Sequence, residues 1–343
     1  ISVRLVGSEM CIRDRLGASG FVGYELYNMC KAHPNINLSA LSANKSAGEL
    51  VDDKELEQSL RYQKIENIDF ENIDFIFNCL PNMQMHKLIH NLNKNIRIID
   101  LSIDFRLDEK EEYKNWYNFD HESFELNENF QFGLTEFNRE SIKESKHVAN
   151  PGCYATSVLV PLIELVSKDA IEQDDIIIDA KSGYSGAGKT KPKHELIKEV
   201  SENIATYGVG DHKHIAEINQ ELSKNTKNKV EVFFAANLIP VERGILSNIY
   251  VNLNNKTLNE LYEILVERFK EEKFIEVLPI GDIPKTKDVV GTNNLVIGLK
   301  KGYKENKICI VSALDNLLKG AAGQAIQNFN VMNDFDEGEG ILM

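Results

Sequence analysis

The stretch Gly17-Ala18-Ser19-Gly20-Phe21-Val22-Gly23 decides the fold that we expect for this chain. Small residues at this spacing let the backbone approach a pyrophosphate, and the apolar positions that follow predict a helix whose N-terminus supplies N–H donors. An apolar run at 36–41 predicts the next strand. We therefore expect a dinucleotide-binding unit with these cofactor contacts: Gly17, Ser19, Gly20, Phe21, Val22 and Gly23.

Apolar runs continue to alternate with helical patterns beyond this unit. Residues 73–80 and 96–101 have strand-like patterns, and the segment 83–92 between them has a helical one. Strands that alternate with helices are typical of parallel sheets covered on both faces. The first part of the chain is therefore expected to be an α/β domain with a Rossmann-type, doubly wound parallel sheet.

The loop after the second predicted strand, Ser42-Ala43-Asn44-Lys45-Ser46, indicates which cofactor is bound. A site specific for NAD places an acidic residue there to bind the ribose hydroxyls, whereas hydroxyls and a cation suit a 2′-phosphate. We therefore expect NADPH/NADP+ as the cofactor, with Ser42, Lys45 and Ser46 near the phosphate. The alternative is a solvated turn in which Ser and Lys serve solubility.

Residues 1–16 do not fit a buried first strand. Arg13, Asp14 and Arg15 stand where a central parallel strand should be continuously apolar. The segment 8–15 also looks like a translated sequencing-adapter read, which predicts that the native first strand has been replaced. The natively expressed protein should then lack these residues when its intact mass is measured, and their presence would refute the hypothesis.

Bulk properties exclude several classes of function. A formal charge of −14 over 343 residues argues against nucleic acid or an anionic membrane as partner. The five cysteines are odd in number and form no C-x-x-C pair, so neither a disulfide framework nor a metal site is expected. With no signal peptide or membrane-spanning run in the sequence, we expect a cytoplasmic protein.

The stretch Asn150-Pro151-Gly152-Cys153-Tyr154-Ala155-Thr156 places a lone cysteine before a helical pattern at 158–166. The dipole and free N–H groups of a helix N-terminus stabilise a thiolate, so Cys153 is the candidate nucleophile. The alternative is a small buried thiol at the start of a core helix.

Three further patterns supply candidate partners for the thiol. Residues 183–190 match the Walker A pattern, but Pro192 interrupts the helix that should follow, which favours a tight loop beside a ligand with Lys189 as an anion contact. In 212–218, either His212 or His214 could be the acid/base, with Glu217 available to orient a ring. The guanidinium of Arg243 could bind a carboxylate or phosphate through two N–H groups; alternatively, Arg243 lies in a salt-bridged turn.

Together these stretches resemble the N-acetyl-gamma-glutamyl-phosphate reductases, the arginine-biosynthesis branch of the aspartate-semialdehyde-dehydrogenase-like family. The resemblance runs from residue 17 to about 330 and includes the motifs at 101–106, 132–136, 182–189, 240–245 and 315–324. Thr135, Ala155 and Ala216 stand where the family pattern has proline.

The resemblance implies two domains. Residues 1–149, completed by the C-terminal helix 317–343, would bind NADPH, and 150–316 would be a second α/β domain with a mixed sheet that carries catalysis and oligomerisation. Asn316 and Gly320 would lie near the nicotinamide. The family forms homo-oligomers, which implies a homodimer or homotetramer here.

The resemblance also implies a reaction on a small-molecule acyl phosphate. Cys153 would attack N-acetyl-L-glutamate 5-phosphate, expel phosphate and form a thioester, which NADPH reduces to N-acetyl-L-glutamate 5-semialdehyde. His214 would be the proton shuttle, and His212 would be either the alternative proton shuttle or a contact to the phosphate. The substrate would also be contacted by Lys189, Arg243 and Glu217. The alternatives are a related reductase for aspartyl or aminoadipyl phosphate, and a catalytically silent nucleotide-binding module.

Overall fold

A computed structural model describes residues 15–16, 20–43, 47–48, 61–187 and 193–341. Within these ranges the side chains of residues 15, 16, 187, 193, 196 and 199 lie outside the description. The described backbone forms two seven-stranded sheets, one in the first half of the chain and one in the second.

The first sheet is parallel throughout, in the order β3-β2-β1-β4-β5-β7-β6. Its strands are β1 (Arg15–Leu16), β2 (Leu41–Ser42), β3 (Tyr62–Gln63), β4 (Phe75–Asn78), β5 (Arg97–Asp100), β6 (Phe130–Phe132) and β7 (His147–Ala149). The helices of this part are α1 (Phe21–Ala32), α2 (Met85–Leu88), α3 (Lys110–Tyr117) and α4 (Thr135–Glu144).

Both faces of this sheet are covered, which confirms the doubly wound fold. Phe75 and Phe77 of β4 pack with α1 on one face, whereas Ile76 packs with Met85 of α2 on the other. The apolar run at 36–41 is a strand only at its end, because β2 pairs with two residues of β1 and two of β3. The predicted helix at 83–92 is likewise shorter, and a 3₁₀ turn follows α2.

The second sheet is mixed, in the order β12-β13-β14-β11-β8-β10-β9, with parallel pairing only at β8–β10 and β12–β13. Its strands are β8 (Ile177–Gly183), β9 (Ala205–Tyr207), β10 (Phe233–Ile239), β11 (Ile245–Asn252), β12 (Ile275–Val277), β13 (Leu295–Lys301) and β14 (Lys307–Leu314). Its helices are α5 (Cys153–Ser167), α6 (Lys193–Val200), α7 (His214–Lys224), α8 (Leu258–Phe269) and α9 (Thr286–Val289).

Helices cover one face of the mixed sheet. In β11, Ile245, Ile249 and Val251 are buried with residues of α5 and α8, whereas Asn248 and Tyr250 on the opposite face are only partly buried. This alternation is what an antiparallel strand shows when its two faces have different environments. Within the residues that the structure describes, no helix combines the length and apolarity needed to cross a bilayer.

The chain returns to the first sheet after β14. A π-helical turn, Leu318–Ala322, leads into α10 (Gly323–Met332), and Phe329 of α10 packs edge-on against Phe75 with ring centroids 5.0 Å apart. Leu26 of α1 belongs to the same buried cluster. The C-terminal segment therefore lies between the two sheets, next to the start of α5.

Candidate active site

Cys153 is the first residue of α5, as the sequence predicts. Gly152 caps the helix in an extended conformation (φ −69°, ψ 149°) and Pro151 precedes it. A Cβ on residue 152 would overlap the imidazole of His214, so this position requires glycine. The thiol therefore lies where a loop from the first sheet meets the first turn of a core helix.

The helix N-terminus does not make Cys153 a thiolate in this structure. Burial raises the pKa of the thiol to about 11, and this outweighs the N–H groups of the helix start and the nearby Arg106, which act to lower it. The position at a helix start predicts a stabilised thiolate. That prediction takes no account of burial, which cannot be derived from helix spacing. The thiol is protonated at neutral pH and needs a base.

Glu217 is completely buried and joins the nucleophile loop to an arginine. One carboxylate oxygen accepts the Gly152 N–H at 2.8 Å, and the other pairs with Nη1 of Arg106 at 2.9 Å. We expected Glu217 to orient a histidine ring or to touch substrate. Instead it fixes the residue before Cys153, because its carboxylate reaches back from α7 to α5.

Arg106 is the cation beside the thiol, and the sequence analysis assigned it no role. Its Nη2 donates to the Leu101 carbonyl at 2.8 Å, whereas its Nε is buried and has no partner among the described residues. Asp100, Ser102 and Asp104 share its loop at the carboxyl edge of β5. Ligands of open α/β sheets bind at that edge, so a polar cluster there was the available signal.

The two histidines lie together beside Cys153. His214 starts α7 and His212 precedes it in the loop, and their ring centroids are 4.8 Å apart. The His214 ring packs against Gly152, whereas the His212 ring contacts the ring of Tyr154 at 5.4 Å. The sequence leaves open which of the two could be the acid/base, and the turn before α7 brings both to the cleft that Cys153 lines.

Both imidazoles are neutral near pH 7. Burial lowers the pKa of His212 to about 4, and it lowers the pKa of His214 well below its ordinary value, with the neighbouring His212 and Arg106 adding to the effect. Nδ1 of His212 lies 3.2 Å from the His214 backbone N–H and accepts it, so the ring proton of His212 is on Nε2. His212 is thus a donor, whereas Nδ1 of His214 is buried with no partner among the described residues.

Gly320 packs directly against Cys153. A Cβ at residue 320 would lie 2.7 Å from the Cβ of Cys153, so the π-turn contacts the nucleophile directly. Asn316, which precedes this turn, accepts the Gly244 N–H at 2.7 Å and donates to Ser185 Oγ at 3.0 Å. Its amide therefore links the turn after β8 and the residue before β11 to the segment that leads into the π-turn.

Arg243 lies in the salt-bridged turn that the sequence left as its alternative. Its Nη1 lies 2.8 Å from Glu25 of α1, and its Nε lies 3.1 Å from the buried carboxylate of Asp315. The structure does not bring Arg243 to the cleft in front of Cys153. It joins α1 to the segment that returns after β14.

The described part of the Walker-like loop, residues 183–187, is bound to protein carbonyls. The N–H groups of Gly183, Tyr184 and Ser185 donate to carbonyls of residues 241–244 at 2.9–3.1 Å. In a P-loop such groups would cradle phosphate. The geometry therefore favours the tight-loop interpretation; Lys189 lies outside the described residues.

The predicted cofactor contacts that the structure describes between residues 20 and 42 lie at the switch point of the first sheet, where β1 separates β2 from β4. Gly20 caps α1, and Phe21, Val22 and Gly23 form its first turn. The Ser42 hydroxyl at the end of β2 is buried without a partner among the described residues. The other predicted contacts lie outside the described residues: Gly17, Ser19, Lys45 and Ser46.

A cleft of about 600 Å³ opens in front of Cys153. Leu101 and Arg106 line it from the first part of the chain, and Tyr207, His212 and His214 line it from the second. A volume in this range suits a small molecule. The cleft brings together a thiol, two neutral imidazoles and a guanidinium, which is a set of groups that could carry out acyl transfer through a thioester.

Comparison with known proteins identifies the class. The model for "Semialdehyde dehydrogenase, NAD binding domain" matches residues 16–145, and that for "Semialdehyde dehydrogenase, dimerisation domain" matches residues 153–316. Aspartate semialdehyde dehydrogenase II of Vibrio cholerae, complexed with ASA, has the same fold, with a TM-score of 0.72 at 17% identity over 95% of this chain and 99% of that one. The enzyme of Candida albicans with NADP gives 0.67 at 17% identity, over 94% and 98%.

Sequence relatives define the family more narrowly. N-acetyl-gamma-glutamyl-phosphate reductase of Afipia carboxidovorans is 40% identical over 95% of this chain and 96% of its own length. That of Campylobacter jejuni subsp. doylei is 39% identical over 95% and 96%, and a probable chloroplastic one of Arabidopsis thaliana is 39% identical over 95% and 83%. The chain belongs to the N-acetyl-gamma-glutamyl-phosphate reductase family, which confirms the resemblance found in the sequence.

The depressed histidine pKa values predict how stability depends on pH. The unfolded chain protonates His212 near 6.5 and the folded chain only near 4, so the unfolded state binds the extra proton between these values. The free energy of unfolding should therefore fall as the pH is lowered from 6.5 to 4, by up to about 1.4 kcal/mol per pH unit for this residue.

Chemical denaturation at several pH values measures this dependence. His212→Asn should reduce the slope by that amount, whereas His194→Asn, at an exposed position of α6, should leave it unchanged. Equal slopes for His212→Asn and the unsubstituted protein would contradict the assignment of a neutral, buried His212.

Proposed function

We propose that this protein reduces N-acetyl-L-glutamate 5-phosphate to N-acetyl-L-glutamate 5-semialdehyde and phosphate, with NADPH as reductant, in arginine biosynthesis. The observation that carries the proposal is the cleft that Cys153, at the start of α5, lines together with Arg106, His212 and His214. The names of the relatives supply the substrate. We further propose that residues 1–149 with 317–343 bind the cofactor and that 150–316 carry catalysis.

The first sheet fits the cofactor. Its switch point lies at the N-terminus of α1, where backbone N–H groups can meet a pyrophosphate. The Ser42 hydroxyl, which has no partner among the described residues, lies at the end of β2, where a ribose phosphate would bind. Gly320 brings the π-turn directly against Cys153, since a Cβ at residue 320 would overlap the Cβ of the cysteine. Bound NADPH would supply the hydride.

The first half of the reaction is acyl transfer to sulfur. His214 takes the proton of the Cys153 thiol, and the sulfur attacks the acyl carbon of the substrate. The C–O bond to phosphate breaks, phosphate leaves with the bonding electron pair, and a thioester remains on Cys153. Arg106, which lines the cleft beside Cys153, would stabilise the anionic oxygens during this step.

The second half regenerates the thiol. After hydride addition to the thioester carbon, the carbonyl oxygen carries the negative charge, and protonated His214 neutralises it. The resulting thiohemiacetal collapses: its C–S bond breaks, the aldehyde leaves and Cys153 recovers its proton. The Nε2–H donor of His212 is suited to hold the substrate oxygen through both steps.

Two alternatives would use the same site differently. A reductase for aspartyl or aminoadipyl phosphate would need the same thiol and base, and a silent nucleotide-binding module would need neither. The reverse reaction separates them: phosphate-dependent reduction of NADP is followed with N-acetyl-glutamate 5-semialdehyde and with aspartate 4-semialdehyde. A rate with only the first aldehyde supports the proposal. A rate with only the second, or with neither, overturns it.

Substitutions test the assigned roles. Cys153→Ser should lower kcat/KM by at least about 10³-fold and His214→Asn by about 10²–10⁴-fold, because nucleophile and proton shuttle act in the transition state. NADPH affinity should stay within about threefold, as measured by fluorescence titration. Cys309→Ser, at a half-buried position on the mixed sheet, is the matched control and should retain activity. Full activity of Cys153→Ser would refute the thioester route.

We also propose that the enzyme works in the cytoplasm, which cell fractionation would check. A separate proposal is that two copies of the chain pair through the uncovered face of the mixed sheet. Asp179, Asn248 and Tyr250 lie on this face and are only partly buried, and Phe233 is 54% exposed. The family model that matches residues 153–316 is that of a dimerisation domain.

Analytical ultracentrifugation tests the pairing. The unsubstituted protein should sediment as a dimer or a tetramer, and Phe233→Asp with Tyr250→Lys should shift it toward monomer, because charged side chains would be buried without partners. Tyr303→Asp, on the exposed hairpin between β13 and β14, is the control and should leave the assembly intact. An assembly unaffected by the double substitution would contradict this interface.

A further inference from the structure

The π-turn that contacts Cys153 is held by a buried ion pair. Nζ of Lys319 lies 2.5 Å from Oε1 of Glu136, and both side chains are at most 1% exposed. Gln327 of α10 accepts a second Nζ hydrogen at 2.7 Å and donates to the same carboxylate oxygen at 3.0 Å. Lysine and glutamate are rarely buried so completely.

This arrangement is a poor choice for stability alone. Burying two charges costs about as much as their attraction returns, and apolar residues of similar volume often serve equally well. Oε2 of Glu136 is also buried, with no partner among the described residues. π-Helical turns are uncommon and occur mostly at functional sites.

The pair connects three parts of the site. Glu136 lies in the first turn of α4, beside the first sheet, and Lys319 immediately precedes Gly320 in the π-turn. The Ala321 carbonyl in the same turn accepts an N–H of Asn150, which precedes the nucleophile loop. A change in the turn would therefore displace Gly320 from its contact with Cys153.

We propose that Lys319 and Glu136 are positioning residues, and that their ion pair holds the π-turn so that Gly320 fixes Cys153 relative to the hydride donor. The inference rests on the proposed function, because it concerns the geometry of the same reaction. Neither residue touches substrate, and both act through Gly320.

The experiment replaces the pair by apolar residues of similar volume, in Lys319→Met/Glu136→Leu. The double variant should unfold within a few degrees of the unsubstituted protein and bind NADPH within threefold. Its kcat should fall at least tenfold at a KM within threefold, and iodoacetamide should alkylate Cys153, followed by peptide mass spectrometry, at least threefold faster. A purely structural role would leave kcat and the alkylation rate unchanged.

The control is Lys143→Gln/Asp334→Asn, which removes an exposed ion pair between α4 and the second residue after α10. It should change neither rate. A folded Lys319→Met/Glu136→Leu variant whose kcat stays within threefold of the unsubstituted protein overturns the inference while the proposed function stands. An unsubstituted protein without activity would instead overturn the proposed function.

If the double variant does not fold, a second variant tests the same inference. Gln327→Met keeps the ion pair and removes the third member of the network. A fall in kcat at constant KM with this variant supports the positioning role, and unchanged kcat overturns it.

Discussion

The geometry of the site depends on the interactions of the Glu217 carboxylate with Gly152 and Arg106. This carboxylate is completely buried, accepts the N–H of the residue before the nucleophile and balances the charge of Arg106. Loss of either charged partner would leave the other buried without compensation, which typically costs about 3–5 kcal/mol. Glu217 therefore fixes the starts of α5 and α7 and the loop after β5 relative to one another. It also fixes the position of His214, which lies one helical turn before it on α7.

Contacts between the two halves of the chain complete the cleft. Arg243 pairs with Glu25 of α1 and with Asp315, and Phe329 packs on Phe75. These contacts surround the segment that carries Gly320, so the cofactor sheet and the thiol are joined by side chains from three separated stretches. A reaction in which a hydride must reach a carbon on sulfur requires this fixed geometry.

The sequence predicted those features that have a local signature. Glycine spacing and strand–helix alternation predicted the parallel sheet, and the spacing after Cys153 predicted its place at a helix start. Features that depend on distant partners were not accessible: Arg106 meets Glu217 across 111 positions of sequence, and Arg243 pairs across 218 with Glu25. The raised pKa of Cys153 was missed for the same reason, because burial is a property of the assembled fold.

The protonated state of Cys153 has a consequence for the enzyme at rest. Peroxides attack thiolates far faster than thiols. With a pKa of about 11, only on the order of one molecule in ten thousand carries the anion at pH 7. A thiol that stays protonated reacts slowly with oxidants, so the burial that raises the pKa of Cys153 also protects its sulfur from oxidation.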